Sequence, residues 1–492
     1  MNNIFAPDIS PNAKPRAPKL AERLVERIES EVVQSGLPIG TNLGFEPDLI
    51  AKYGVSRSVL REAISILERG GLLEMRRGRY GGLTVAASPQ DSAVNMLQNY
   101  LSFVDYLNET RLDELLLVRG YLEPIALRKA ARRADDDDVK QLRSLEAEVR
   151  AGGSNQLVNA RLILRSLFNT CRNPAAIVLI RVLNQLSVII GLFQNIPREQ
   201  LEQYGREILK LRLPQIEALI AGDLHELTTL QFRQIDLLRR LHERHRSISQ
   251  DAAPATLDNM RVLVERLYEF TGIDRAARQS DVVAQFILYE LWRNNWPQGH
   301  HLGFEPDLVN WIGTTKATFR EALRVLERMG VVTMATGRSG GLAVSTPDPH
   351  ATLSSTKLCL RALGVTPAQT VELYQALALA ALSELIDNPR ADRERAAPAL
   401  RQLLQQSAAG TRAWDQEFRL CLAAHCGNRI VALFTQLLAD LFPLEPGDKP
   451  ADHRAIETER YRQIVAAMEQ GDAALARRQM IRIQLALASA PI

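Results

Sequence analysis

Residues Gly44–Val85 align without a gap to Gly303–Val344 at a constant offset of 259, and 21 of the 42 positions are identical. Both copies open Gly-Phe-Glu-Pro-Asp-Leu, contain Arg-Glu-Ala and Leu-Glu-Arg, and end in Gly-Arg-x-Gly-Gly-Leu. Whatever this segment builds, the chain builds twice. The period far exceeds the ~20–50 residues of solenoid and propeller repeats, so the duplicated unit holds more than one domain. A chain of 492 residues, at ~100–200 residues per domain, has room for about three or four domains.

In the first copy, Leu20, Leu24, Ile28 and Val32 recur at helical spacing, which predicts an amphipathic helix over Lys19–Ser35. A second, short helix is expected at Glu46–Tyr53, with Pro47 tolerated in its first turn. Gly54 supplies a turn, and Ser56 is suited to cap the next helix. In that helix Leu60, Ala63, Ile64 and Leu67 form an apolar stripe, with Arg57 and Arg61 on another face near its N-terminus. Gly70-Gly71 stops it, and two strands are expected at Leu72–Arg76 and Leu83–Ala86, joined by the turn Gly78–Gly82. This is the order of a winged helix-turn-helix. The second helix of that motif enters the DNA major groove by its N-terminal end, where arginine reads guanine O6 and N7. A glycine-rich wing with Arg76, Arg77 and Arg79 can approach the backbone closely. The DNA-facing set is therefore Ser56, Arg57, Ser58, Arg61, Arg76, Arg77 and Arg79, with Thr315, Lys316, Arg320 and Arg338 in the second copy.

From Gln90 to about Arg246 the chain reads as nearly all helix, with helices at 136–150, 156–171, 174–195, 198–220 and 223–246. Residues 350–488 repeat the plan more loosely. Ser247–Pro254 reads as a linker and Asn259–Phe270 as a connecting helix, while Asp135–Asp138 suits a helix start. The net charge is only +3, so DNA binding must rest on where the basic residues lie. Cys171, Cys359, Cys421 and Cys426 form no CxxC pair or disulfide framework. No apolar run approaches the ~20 residues of a membrane span, and the first residues lack the apolar core of a signal peptide. Both point to the cytoplasm.

Gly54-Val55-Ser56-Arg57 and Leu60-Arg61-Glu62-Ala63-Ile64 resemble the winged helix of the GntR family of transcriptional regulators, FadR-like branch. That resemblance places Arg57 and Arg61, and Lys316 and Arg320, at the family's DNA-contacting positions. Two departures stand out. Pro47 and Pro306 replace the family's basic residue at the start of the second helix, and Ala335 and Thr336 stand where the first wing has Arg76 and Arg77. The second reader is therefore expected to bind DNA more weakly or with another base preference. The helical segments resemble the FCD ligand-binding domain: Val118–Ala126 looks like its first long helix, Asn173-Pro174 and Gly427-Asn428 like a helix junction, and Gly222-Asp223 and Gly471-Asp472 like the turn before its last helix.

The implied fold class is mainly α: two winged helix-turn-helix domains, each followed by an all-helical FCD-like bundle. The expected boundaries are a flexible N-terminal arm at 1–16, winged helices at 17–88 and 277–347, bundles at 89–247 and 348–492, and a linker with its connecting helix at 248–276. Many FCD domains bind a divalent metal through one aspartate and three histidines. The matching positions here are Ala160, Leu164, Arg212 and about Arg233, then Asp415, Arg419, Tyr461 and about Arg482. Arginine offers no lone pair, so no metal and no cofactor is expected. The arginines suggest either ion pairs inside the bundles or a small anionic effector, held by Arg119, Arg165, Arg212 and Arg233 in one bundle and by Asp415, Arg419, Tyr461 and Arg482 in the other.

No P-loop, GxSxG, HExxH or strand-anchored dinucleotide fingerprint is present, so an enzyme is not expected. The reading is a sequence-specific, ligand-responsive regulator, a repressor by resemblance, with a double-stranded DNA operator as partner. Fusion of two units implies an intramolecular pseudo-dimer, and pairing of two chains into a homodimer stays open. The alternative is a winged-helix architectural or protein-interaction module without effector response.

Overall fold

The computed structural model describes residues 20–70, 72–76, 78, 81–106, 112–151, 156–193, 197–245, 256–271, 277–294, 296–335, 341–345, 349–389, 391–407, 414–442 and 451–488. The N-terminal arm, the segment 246–255 and the wing residues Arg77, Arg79 and Arg338 lie outside them.

The first module comprises α1 (Leu20–Gln34), β1 (Asn42–Gly44), α2 (Glu46–Tyr53), α3 (Arg57–Gly70), β2 (Leu73–Arg76) and β3 (Gly82–Val85). Seven helices follow: α4 (Pro89–Tyr106), α5 (Leu112–Arg133), α6 (Asp136–Ala151), α7 (Gln156–Asn169), α8 (Pro174–Phe193), α9 (Arg198–Ala221) and α10 (Leu224–His245). The connecting helix is α11 (Leu257–Thr271). The second module comprises α12 (Gln279–Arg293), β4 (His301–Gly303), α13 (Glu305–Ile312), α14 (Lys316–Arg328), β5 (Val332–Ala335) and β6 (Gly341–Val344). The chain then runs through α15 (Pro349–Ala362), α16 (Pro367–Asp387), α17 (Arg393–Ser407), α18 (Trp414–His425), α19 (Arg429–Leu441), α20 (Ala451–Gln470) and α21 (Ala473–Ala488).

The described residues fall into two bodies, one from 18–116 with 126–364 and the other from 117–125 with 365–492. Within the first, α4 packs on α8 and α15, α1 on α15, and α3 touches α14. Within the second, α16 packs on α18, α19 and α21, and α20 lies along α21.

The offset of 259 extends beyond the sequence match to α1 and α12, whose ends correspond residue for residue. Each module closes a three-stranded antiparallel sheet, in the order β1-β3-β2 and β4-β6-β5. The strands β1 and β4 were not anticipated: three residues are too few to show an alternating pattern. Both carry a register shift at the same place, where Gly82 and Gly341 come close to the shifted strand. A Cβ on Gly82 would lie 2.7 Å from the Gly44 carbonyl oxygen, and one on Gly341 2.8 Å from that of Gly303.

The two cores correspond position by position. Ile28, Leu49, Leu60, Ala63, Leu67, Leu73 and Leu83 in one match Ile287, Leu308, Phe319, Ala322, Leu326, Val332 and Leu342 in the other. The repeated motifs have structural duties. Glu68 of the first Leu-Glu-Arg accepts the Met75 N–H at 2.9 Å, and Glu327 accepts that of Met334 at 3.2 Å, tying each recognition helix to its wing strand. Burial raises the Glu327 carboxyl above the usual range. One core position diverges in consequence. The Tyr53 hydroxyl donates to Glu31 at 2.9 Å, whereas its counterpart Ile312 borders a cavity of about 450 Å³ that Glu290, Trp296, Trp311 and Phe319 also line.

The helical segments show the expected caps. The Asn173 and Asn428 side-chain oxygens accept the N–H of Ala176 at 3.2 Å and of Val431 at 3.1 Å, starting α8 and α19. Asp223 and Asp472 accept the N–H three residues on, at 2.9 Å each. The acidic run starts α6 through the Asp135 carboxylate, which accepts the N–H of Asp138 at 2.9 Å.

Asn428 is buried, and its amide also donates to Glu384 at 2.8 Å. Asn428→Ala should lower stability by ~2 kcal/mol, combining a lost cap with a buried carboxylate short of one donor. Asn428→Ser, which retains the cap, should lose about half as much. Urea denaturation followed by circular dichroism tests both.

Candidate nucleic-acid interface

The N-terminal end of each recognition helix is built the same way. The Ser56 hydroxyl accepts the Val59 N–H at 3.3 Å and lies 3.0 Å from that of Ser58. Thr315 accepts the Thr318 N–H at 3.2 Å. Gly54 and Gly313 end the preceding helices at φ 66° and 72°, a left-handed conformation that any side chain would strain. These turns set α3 and α14 so that their apolar stripes are buried and the basic residues of their first two turns are exposed.

Those basic residues converge on one carboxylate. Arg57 and Arg61 each donate an Nε–H to Glu46 Oε1 at 2.9 Å. In the second module Arg320 Nε–H donates to Glu305 Oε1 at 2.8 Å, and Lys316 Nζ lies 3.9 Å from the same oxygen. The side chains of Arg57 and Arg61 stay 66% and 64% exposed, so the clamp orients them without covering them. The hydrogen bond from Arg61 holds Glu46 below the usual carboxylate range. Its contribution is therefore fully present above the ordinary carboxylate pKa of ~4.3 and is lost only as pH falls through the depressed value.

Four residues of the opening motif have identifiable duties. Glu46 is the clamp, Pro47 occupies a position whose N–H needs no partner, Asp48 accepts the Phe45 N–H at 3.2 Å, and Leu49 is core. Glu46 and Glu305 were missed as site residues, although the identical motif in both copies carried the signal. On the wing, Arg76 is exposed and donates to Glu74.

The bundle positions divide differently. Arg212 is buried, donating to the Ala160 carbonyl and, at 3.1 Å, to Gln234. Arg119 is buried against Glu123 at 2.8 Å. Arg165 and Arg233 are exposed. In the second bundle Asp415, Arg419 and Tyr461 meet. Arg419 donates to Asp415 Oδ1 at 3.2 Å and to the Tyr461 hydroxyl at 3.3 Å, while Tyr461 donates to Asp415. The Arg419 guanidinium also lies 5.3 Å from the centre of the Tyr374 ring. Arg482 is exposed, and its carbonyl accepts from Arg460 at 3.1 Å. These residues do not fit a divalent metal. A guanidinium fills the space beside the carboxylate in the second bundle, and the first offers alanine, leucine and arginine. Burial and its carboxylate neighbour hold the Tyr461 phenol protonated.

Glu46→Gln should leave the fold intact while freeing both arginines. The ratio of specific to non-specific DNA affinity should fall by about tenfold, at the lower end of the ~1–3 kcal/mol of discrimination carried by an oriented arginine. Titration of specific and scrambled duplexes measures that ratio. Arg419→Ala leaves Asp415 and Tyr461 without their cation and should cost ~3–5 kcal/mol, read from the same kind of urea curve.

The family model for the gntR family of bacterial regulatory proteins matches residues 20–80, and the FCD domain model matches residues 114–230 and again 369–485. The HTH-type transcriptional regulator RmpR of Mycobacterium gastri is 33% identical over 112 residues, 22% of this chain and 38% of that protein. The galactonate operon transcriptional repressor of Escherichia coli is 28% identical over 175 residues, 34% of this chain and 69% of the repressor. The HTH-type regulator Rv0494 of Mycobacterium tuberculosis is 31% identical over 152 residues, 30% of this chain and 61% of that protein. Streptococcus agalactiae GntR covers 43% of this chain with a TM-score of 0.32 and 18% identity. No described helix is long and apolar enough to cross a membrane. The chain belongs to the GntR family of bacterial regulatory proteins, in the group that carries the FCD domain, and the FCD model matches it twice.

Proposed function

We propose that the chain is a sequence-specific DNA-binding transcriptional regulator in which two winged helices of one polypeptide act as a covalent pseudo-dimer on a two-part operator. The observation that carries this reading is the doubled clamp. Two modules with matching cores each present an exposed basic pair at the N-terminal end of α3 or α14, steered by a carboxylate from the helix before it.

Packing within the first body supports intramolecular pairing. There α3 touches α14, and α4 lies along α15. Regulators of this docking type match two-fold protein symmetry to operator half-sites, and a covalent link replaces dimerisation by an effective concentration. Sequence divergence supports unequal half-sites. The second reader has lysine at 316 for arginine at 57, and alanine and threonine at 335 and 336 for two arginines.

The FCD segments support control by a small molecule. The effector reading takes an anion, with the arginines of the bundles as its partners. Occupancy regulates DNA binding only if the effector prefers one arrangement of the readers. The galactonate relative is a repressor by name, and repression is the sign we infer.

Selection from randomised duplex DNA tests the reading. The intact chain should enrich a motif of two unlike halves. Arg57→Ala with Arg61→Ala should erase one half, and Lys316→Ala with Arg320→Ala the other. Each double variant should also flatten the dependence of log affinity on log salt, by up to about 0.9 for each phosphate that is no longer neutralised. Loss of the whole motif in the first variant and none of it in the second would reduce the second module to a scaffold.

A further inference from the structure

Glu31 of α1 and Glu290 of α12 stand at equivalent positions of the two modules but meet different neighbours. In the first module the Lys52 ammonium donates to Glu31 Oε1 at 2.5 Å, and the Tyr53 hydroxyl donates to Oε2 at 2.9 Å. The same ammonium lies 5.2 Å from the centre of the Tyr53 ring. Carboxylate, ammonium and aromatic face form one unit. In the second module Trp311 and Ile312 take the places of Lys52 and Tyr53. Glu290 Oε2 accepts from the Asn294 amide at 3.1 Å. Among the described residues the cation beside Oε1 is Arg293, at 3.9 Å and so beyond hydrogen-bond distance. The Glu290 side chain is nevertheless only 13% exposed.

Space stands where the second module lacks that ammonium. The cavity of about 450 Å³ is lined by Glu290 and Asp307 together with Trp296, Trp311, Ile312 and Phe319, and none of its described lining residues is basic. Its size falls in the range of ~300–1,000 Å³ typical of small-molecule sites. Other rings hold the two indoles in place. Trp296 stacks on His300 with 5.3 Å between centroids, and Trp311 lies 5.6 Å from Phe286. Trp311 is half exposed, so the cavity is reachable from solvent. A carboxylate in the wall of an apolar cavity costs stability unless a cation joins it, and indole faces attract cations more strongly than other rings do.

We infer that this cavity binds an organic monocation, a primary ammonium on an apolar body, with the ammonium at Glu290 and the body against Trp296, Trp311 and Phe319. The ligand restores from outside the unit that Lys52 completes from within in the first module. Its ammonium supplies a charge-assisted hydrogen bond to Oε1, and its body fills the space beside the indoles. Phe319 belongs to α14, so an occupant lies against the helix that carries Lys316 and Arg320. The site belongs to the second winged helix and to neither helical bundle. It rests on neither the operator reading nor the anionic-effector reading, and its test needs no DNA.

The experiment is isothermal titration calorimetry of the full chain with 2-phenylethylammonium chloride and with its neutral analogue 2-phenylethanol, at matched ionic strength. The wild type should bind the ammonium about tenfold more tightly than the alcohol. Glu290→Gln, which keeps a partner for Asn294 and removes the charge, should reduce ammonium binding to the level of the alcohol and leave the alcohol unchanged. Trp311→Lys with Ile312→Tyr installs the pair of the first module beside Glu290. That variant should melt cooperatively, at or above the wild-type midpoint, and bind neither ligand. No saturable binding of the ammonium by the wild type would overturn the site. Equal binding of ammonium and alcohol would make the cavity a neutral apolar one and overturn the cation assignment. Ammonium binding that survives in the folded double variant would place the ligand elsewhere and equally overturn it.

Discussion

The buried stripe of the recognition helix governs the rest of each module. Leu60, Ala63 and Leu67 in α3, and Phe319, Ala322 and Leu326 in α14, are fully excluded from solvent. With 3.6 residues per turn, burying that stripe fixes the rotation of the helix and hence the direction of every other side chain on it. Arg57 and Arg61 point outward because Leu60 points inward. The carboxylate from the preceding helix can then hold both guanidiniums in place, because the turn at Gly54 sets the angle between the two helices. Glu68 and Glu327 add the third strut by joining the helix to the wing strand.

Much of this was legible in the sequence. Helical spacing located α1 and α3, glycines marked the turns, and the identical motifs announced two modules of one design. The short strands β1 and β4 were not legible, since three residues carry no period. Nor were the partners of the repeated acidic residues: Glu46 and Glu68 recur in both copies, but only the fold shows that one meets recognition-helix arginines and the other a strand N–H. In the bundles, single positions named individual arginines without their neighbours. Arg419 meets an aspartate and a tyrosine, Arg212 a backbone carbonyl and Arg119 a glutamate, which is how buried guanidiniums are ordinarily satisfied.

Duplication explains the pattern of divergence. The two winged-helix cores keep size and register, since each must close the same sheet, and Phe319 for Leu60 and Ile312 for Tyr53 trade volume locally. Charge is freer to change. The second wing has alanine and threonine at 335 and 336 where the first has arginines at 76 and 77. A homodimer cannot vary its halves separately, whereas a fused pair can. On the proposed pseudo-dimer reading, unequal halves remove any need for a palindromic operator.

The central claim is that one chain supplies both readers of an operator. Native mass spectrometry of the full chain on a selected duplex tests it by counting chains per DNA. One chain on a duplex that carries both halves of the motif, unchanged as protein is raised through the binding range, is the predicted result. Two chains on that duplex, with no stable one-chain complex at any ratio, would contradict it.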